Sequence, residues 1–116
     1  MRVATWNINN VNKRVTLLID WLQRTQPAVV ALQEIKCLTT DFPTAALQEA
    51  GYSSLVVGQR TWNGVAILSR VADPLPIVTA LPGDPADKDA RYLEAAINGI
   101  LFVCLYLPNG NPQPGP

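Results

Sequence analysis

A chain of 116 residues has room for one ordinary domain, and 48% apolar content is ample for a core, which excludes a disordered polypeptide. Nine basic and nine acidic residues cancel, so the chain does not hold nucleic acid by bulk positive charge, and any such contact needs a localised site. The absence of histidine removes Ser-His-Asp triads, Cys-His pairs and the usual zinc sites, leaving carboxylate and amide oxygens, donors suited to magnesium, manganese or calcium.

Arg2–Ile8 reads as a first strand, β-branched and aromatic, stopped by asparagines at 7, 9, 10 and 12. Asn12 is a suitable N-cap for a helix over Lys13–Thr25, where Val15, Leu18, Ile19 and Leu22 recur at helical spacing and Leu17 and Trp21 widen the stripe. Pro27 ends that helix, and Ala28–Gln33 follows as a continuous apolar strand of the kind buried on both faces. Pro43 can open a second helix, with Gly51 placed as its C′ glycine. Tyr52–Val57 and Gly64–Ser69, the latter entered through the turn pair Asn63-Gly64, are further strands; Leu75–Ala80 is a weaker one between prolines. After a polar loop over Pro82–Asp89, Tyr92–Ile97 and Leu101–Leu107 form a hairpin across Asn98-Gly99. Two helices and about seven strands predict an α/β layer.

The amino terminus lacks the apolar stretch and cleavage site of a signal peptide. The longest apolar block, Ile100–Leu107, has eight residues, against roughly 20 needed to span a bilayer. Cys37 and Cys104 lie in unrelated contexts and read as free thiols suited to a reducing compartment. These features predict a cytoplasmic protein with no membrane partner. The tail from Pro108 to Pro116 is turn after turn directly behind the most apolar strand, which reads as a chain cut rather than finished.

Glu34 follows a buried strand directly, at the sheet edge where ligands gather in open α/β folds, and a cation or Lys36 can offset its charge. Asn7 and Asn9 end the first strand on one face by alternation, and Lys36 shares the face of Glu34 if the strand continues. Tyr106 ends the last apolar run, and Arg91 opens a strand and can meet a phosphate. Each residue also has a plain structural explanation: a solvated glutamate, turn-forming asparagines, a core tyrosine, a surface ion pair.

Their order and surroundings are more specific. Thr5-Trp6-Asn7-Ile8-Asn9, Leu32-Gln33-Glu34-Ile35-Lys36, Gly64-Val65-Ala66-Ile67-Leu68-Ser69, Arg91-Tyr92-Leu93-Glu94-Ala95 and Leu105-Tyr106-Leu107-Pro108-Asn109-Gly110 together resemble the exonuclease III family of AP endonucleases, in the endonuclease/exonuclease/phosphatase superfamily. The resemblance runs over the whole chain. It implies an α/β fold of α+β type, one half of a four-layered sandwich with a mixed sheet and helices on one face, so that residues 1–116 are the amino-terminal part of a single domain. It implies a metal-dependent DNA-repair nuclease using Mg2+, with Mn2+ as a substitute. Its substrate would be double-stranded DNA with abasic sites or 3′ ends, and the complete enzyme would be monomeric.

Carried over by position, Glu34 and Asn7 are the metal-binding residues, and Asn7 and Tyr106 the catalytic ones, with Tyr106 reaching the target phosphate. Lys36 and Asn9 support the metal site, and Arg91 and Asn109 lie near the DNA backbone. The family's Asp-x-Asn pair, a further metal-binding aspartate and a closing Asp-His pair have no counterpart in this sequence, so the resemblance implies a chain that is inactive alone. Asn10-Val11-Asn12-Lys13 departs from the Gly and Arg of many relatives and leaves local DNA contacts open. A superfamily enzyme acting on lipid or inositol phosphates and a non-catalytic binding module remain alternative readings. If each half of the sandwich contributes about one sheet, two helices cover only one of its faces, and a large apolar face is expected to stay open.

Overall fold

The computed structural model describes residues 1–58, 63–78 and 92–105. Its elements in chain order are β1 (Val3–Asn7), α1 (Val15–Thr25), β2 (Val29–Gln33), a short 3-10 turn (Thr39–Asp41), α2 (Thr44–Glu49), β3 (Ser53–Val57), β4 (Val65–Ser69), β5 (Leu75–Val78), β6 (Tyr92–Ile97) and β7 (Ile100–Leu105). The strands form a four-stranded sheet in the order β1-β2-β4-β3 and a three-stranded sheet in the order β5-β6-β7. Among the described strands only β1 and β2 run parallel, joined through α1, and their register sets Asn7 beside Gln33. The mixed α/β fold expected from the sequence is present.

Alternation along β2 divides its side chains between two cores. Val30 and Leu32 join Leu18 and Leu22 of α1, Leu47 of α2 and Leu68 of β4 in the layer under the helices. Val29 faces the other way and joins Val65 and Ile67 of β4 with Leu93, Ala95, Ile97 and Cys104 of β6 and β7. Full burial of each such leucine or isoleucine stabilises the fold by about 1.5–3 kcal/mol. The second core corrects the expectation of about one sheet in this half. The outward face of the first sheet is apolar, and the β6-β7 hairpin folds back to cover it. The open apolar face therefore lies one layer further out, where Leu75, Ile77, Leu101 and Val103 of the second sheet are each more than half exposed.

Local differences have local causes. The helix begins at Val15, not Lys13, with Arg14 at the N-cap position and no side-chain cap; Asn12 Nδ2 instead donates to the Asp41 carbonyl (3.2 Å), and Asn10 Oδ1 accepts from Lys13 N (3.3 Å). Leu17 is 54% exposed and lies off the buried stripe, while Trp21 packs against the core edge-on to Trp6 at 5.5 Å. Gln26, left-handed at φ 48°, ends α1 one residue before Pro27, and Gly51 at φ 95° follows the end of α2. The hairpin turn is tighter than expected. Asn98 and Gly99 both have positive φ, as a two-residue turn requires, so Ile97 pairs directly with Ile100. Pro76, which cannot donate to a ladder, sits at a register shift in the edge strand β5. The polar loop, the expected ends of the strands at Ala80 and Leu107, and the tail lie outside the described residues. No helix among the described residues is long and apolar enough to cross a membrane.

Candidate functional site

Because β1 and β2 are parallel and in register, both chains leave the sheet at the same edge. Ile8 N donates to Gln33 O (3.0 Å), Asn10 N to Glu34 O (2.8 Å) and Val11 N to Ile35 O (3.0 Å), so the two exiting loops stay paired beyond the strands. Ile8, Val11 and Ile35 are fully buried beneath them. The polar residues between these anchors are held at the surface. Asn7 Nδ2 donates to Glu34 Oε2 at 2.9 Å, Lys36 Nζ lies 3.5 Å from Glu34 Oε1, and the same ammonium donates to Asn9 Oδ1 at 2.6 Å.

Thus Asn7, Asn9, Glu34 and Lys36, four residues singled out in the sequence, form one network, although not by strand alternation. β1 stops at Asn7 and β2 at Gln33, while Asn9, Asn10, Glu34 and Lys36 all adopt left-handed backbone, with φ of 49°, 83°, 55° and 55°. Such conformations are costly for residues other than glycine and cluster at functional sites. Tyr106, Arg91 and Asn109 lie outside the described residues. Sequence reasoning missed the backbone partners: Ile35 N donates to Gly64 O (3.2 Å) and Lys36 N to Asn63 O (3.0 Å), which ties the Glu34 loop to the start of β4. Asn63-Gly64, legible only as a turn pair, was the available signal.

The Glu34 and Lys36 side chains keep 20% and 26% of their surface exposed, so the carboxylate is accessible and its charge is partly offset by the ammonium. Asn7 uses Nδ2 on Glu34, which leaves its Oδ1 as the atom to accept from, or coordinate, a further partner. Beside the network, Asn10, Asn12, Lys13, Lys36, Cys37, Leu38 and Asp41 border a hollow of about 580 Å³. Burial, helped by Asp41, pushes the Cys37 thiol up to about 11, so the protonated form is favoured near neutrality. No group of three or more His, Cys, Asp or Glu residues able to hold a metal occurs among the described residues. The donors present are one carboxylate and amide oxygens. That set fits a hard divalent cation that retains several waters, as magnesium does.

A family model described as the Endonuclease/Exonuclease/phosphatase family matches residues 4–108. Exodeoxyribonuclease III of Haemophilus influenzae is 32% identical, the match covering 97% of this chain and 43% of that protein. Among solved structures, the 3′ phosphatase NExo from Neisseria bound to a product DNA hairpin superposes with a TM-score of 0.90 at 37% identity, over 95% of this chain and 42% of that one. An AP endonuclease from Archaeoglobus fulgidus gives 0.87 at 33% identity, with the same coverage of 95% and 42%. The chain therefore spans about two fifths of the length of these relatives. With its fold, its strand-end carboxylate network and the family match over most of its length, the chain belongs to the Endonuclease/Exonuclease/phosphatase family.

Proposed function

We propose that this chain is the amino-terminal part of a magnesium-dependent DNA-repair nuclease of exonuclease III type, cleaving DNA 5′ to abasic sites and removing nucleotides from 3′ ends. One observation carries the reading: Asn7, Glu34, Lys36 and Asn9 form a single hydrogen-bonded network at the shared exit of two parallel strands. Relatives named as an exodeoxyribonuclease and an AP endonuclease, and a relative bound to product DNA, support the substrate class.

In this reading Glu34 would hold the divalent cation together with Asn7 Oδ1, with Mn2+ able to replace Mg2+, and Asn7 would also serve the scissile phosphate. When bound, the cation neutralises charge on the phosphoryl oxygens and orients the phosphate. Lys36 and Asn9 keep the Glu34 carboxylate directed at the site, as outer partners of metal ligands do. Tyr106 reaches the target phosphate, and Arg91 and Asn109 hold the backbone of double-stranded DNA. Hydrolysis also needs a group to take the proton of the attacking water. Glu34 cannot both ligate the cation and act as base, so the remaining part of the enzyme supplies that group and this chain alone is inactive. The complete enzyme is a monomer, and the two buried thiols suit the reducing cytoplasm.

The test is to titrate the chain with Mg2+ and to incubate it with abasic duplex DNA, then to repeat both with Glu34→Gln. Saturable Mg2+ binding that Glu34→Gln abolishes, without cleavage, is the expected result. Mg2+ binding that survives Glu34→Gln overturns the metal assignment, and cleavage by the isolated chain overturns its inactivity. The complete reading frame should turn over abasic duplex in preference to inositol phosphate esters; the reverse preference removes the DNA assignment.

A further inference from the structure

Ile35 stands between two left-handed residues, Glu34 and Lys36, each with φ of 55°. Their side chains remain partly exposed, whereas Ile35 is fully buried in the core beneath α1 and α2. Gly64, itself at φ 103°, lies against it. A Cβ at Gly64 would lie 2.4 Å from Ile35 Cγ1 and 3.2 Å from Cδ1. The isoleucine thus rests against bare backbone, and the Gly64 carbonyl receives its amide at 3.2 Å.

We propose that Ile35, seated on Gly64, is a positioning residue that keeps Glu34 turned toward Asn7 and thereby sets the divalent-cation affinity of the site. The inference rests on the reading of Glu34 as cation ligand. Left-handed backbone is unfavourable for glutamate and lysine and persists only where surrounding structure over-determines it. Two of the restraints at this loop are the Val11 N to Ile35 O and Ile35 N to Gly64 O hydrogen bonds, both made by Ile35 itself. Its side chain is what keeps that peptide unit in place. Without the anchor, residues 34–36 can relax toward ordinary backbone, which swings the carboxylate away from Asn7 Nδ2, now 2.9 Å away.

The test uses Mn2+ as probe, followed by water-proton relaxation, on the chain and its variants, with folding checked by NMR. Ile35→Ala should weaken Mn2+ binding about tenfold or more, the scale of lost support around a metal ligand. Ile35→Val, which keeps the Cγ1 that meets Gly64, should bind like the parent. Leu47→Ala opens a cavity in the same core from α2, without altering the loop's own residues, and should bind Mn2+ unchanged. Parent-like binding by Ile35→Ala overturns the proposal, as does an equal loss in Leu47→Ala. Gly64→Ala, which pushes on the contact from the other side, gives the same readout if Ile35→Ala does not fold. Glu34→Gln separates the two claims: if it binds Mn2+ as tightly as the parent, the cation reading fails. The positioning claim is then read from hydrogen exchange, where Ile35→Ala should speed the amides of residues 35 and 36 and leave that of Tyr52 protected. Unchanged exchange at those two amides overturns it.

Discussion

The two apolar layers flanking the four-stranded sheet are closed to different degrees. Under the helices, Ile8, Val11, Leu18, Leu22, Leu32, Ile35 and Leu47 are all fully buried. On the other side Leu93, Ala95 and Ile97 are equally buried, but the reverse of their own sheet exposes Leu75 at 61%, Ile77 at 56%, Leu101 at 55% and Val103 at 51%. The site network hangs from Ile8, Val11 and Ile35, members of the closed layer only. Its geometry is thus set by the finished side of the molecule and is insulated from the open one. Substitutions in the two layers should separate accordingly.

The largest contrast is between deep and open leucines. Leu32→Ala removes a fully buried side chain between α1 and the sheet and should cost about 2–5 kcal/mol in urea unfolding, whereas Leu101→Ala should stay within about 0.5 kcal/mol. Equal losses would show that the outer face is covered in solution. Next comes Gly58→Ala. Its Cβ would fall 2.3 Å from Thr39 N and 2.6 Å from Cys37 O, backbone atoms of the segment that follows Lys36, so one side must move. A loss of about 1–3 kcal/mol is expected, the usual scale of overpacking.

The open face makes a prediction of its own. Leu101, Val103 and Leu105 alternate outward on β7, an edge strand of its sheet. The chain should therefore bind a hydrophobic dye strongly and tend to associate. Replacing Leu101 and Val103 together with lysine should remove most of the dye signal while Mn2+ binding stays as in the parent. A monomer that melts cooperatively and binds no dye would erase the distinction between the layers.

What could be read from the sequence follows the same division. The apolar stripe Leu18–Leu22, the doubly buried β2 and the asparagine-glycine hairpin announce themselves through local spacing and turn chemistry. Glu34, Asn7, Asn9 and Lys36 were legible because a strand end and a family pattern both pointed at them. Their backbone was not. Left-handed Glu34 and Lys36 carry no local signal, since non-glycine residues adopt that conformation only under tertiary restraint, here from Ile35 and the Asn63-Gly64 carbonyls. Asn12 is not the cap because the helix starts later, with Arg14 at the N-cap position, while Asn12 Nδ2 donates to the carbonyl of Asp41, 29 residues away. The packing of β6 and β7 onto the first sheet escaped because alternation reports which faces are apolar, not which of them meet.

The last predicted effect probes the closed layer at its rim, where Cys37 follows Lys36. Burial first, then the Asp41 carboxylate, raise the thiol from its ordinary 9.0 to about 11. A raised thiol means that the native chain holds a proton the unfolded chain has begun to lose. The associated stability is fully present below about pH 9, declines as pH rises toward about 11 and is gone above it. Urea midpoints across that window should therefore fall faster for the parent than for Cys37→Ala, with Cys104 common to both and cancelling. The size of the gap measures how well the rim excludes water beside the network. Parallel curves would mean that the thiol is as wet in the folded chain as in the unfolded one, and that the closed layer stops short of the site.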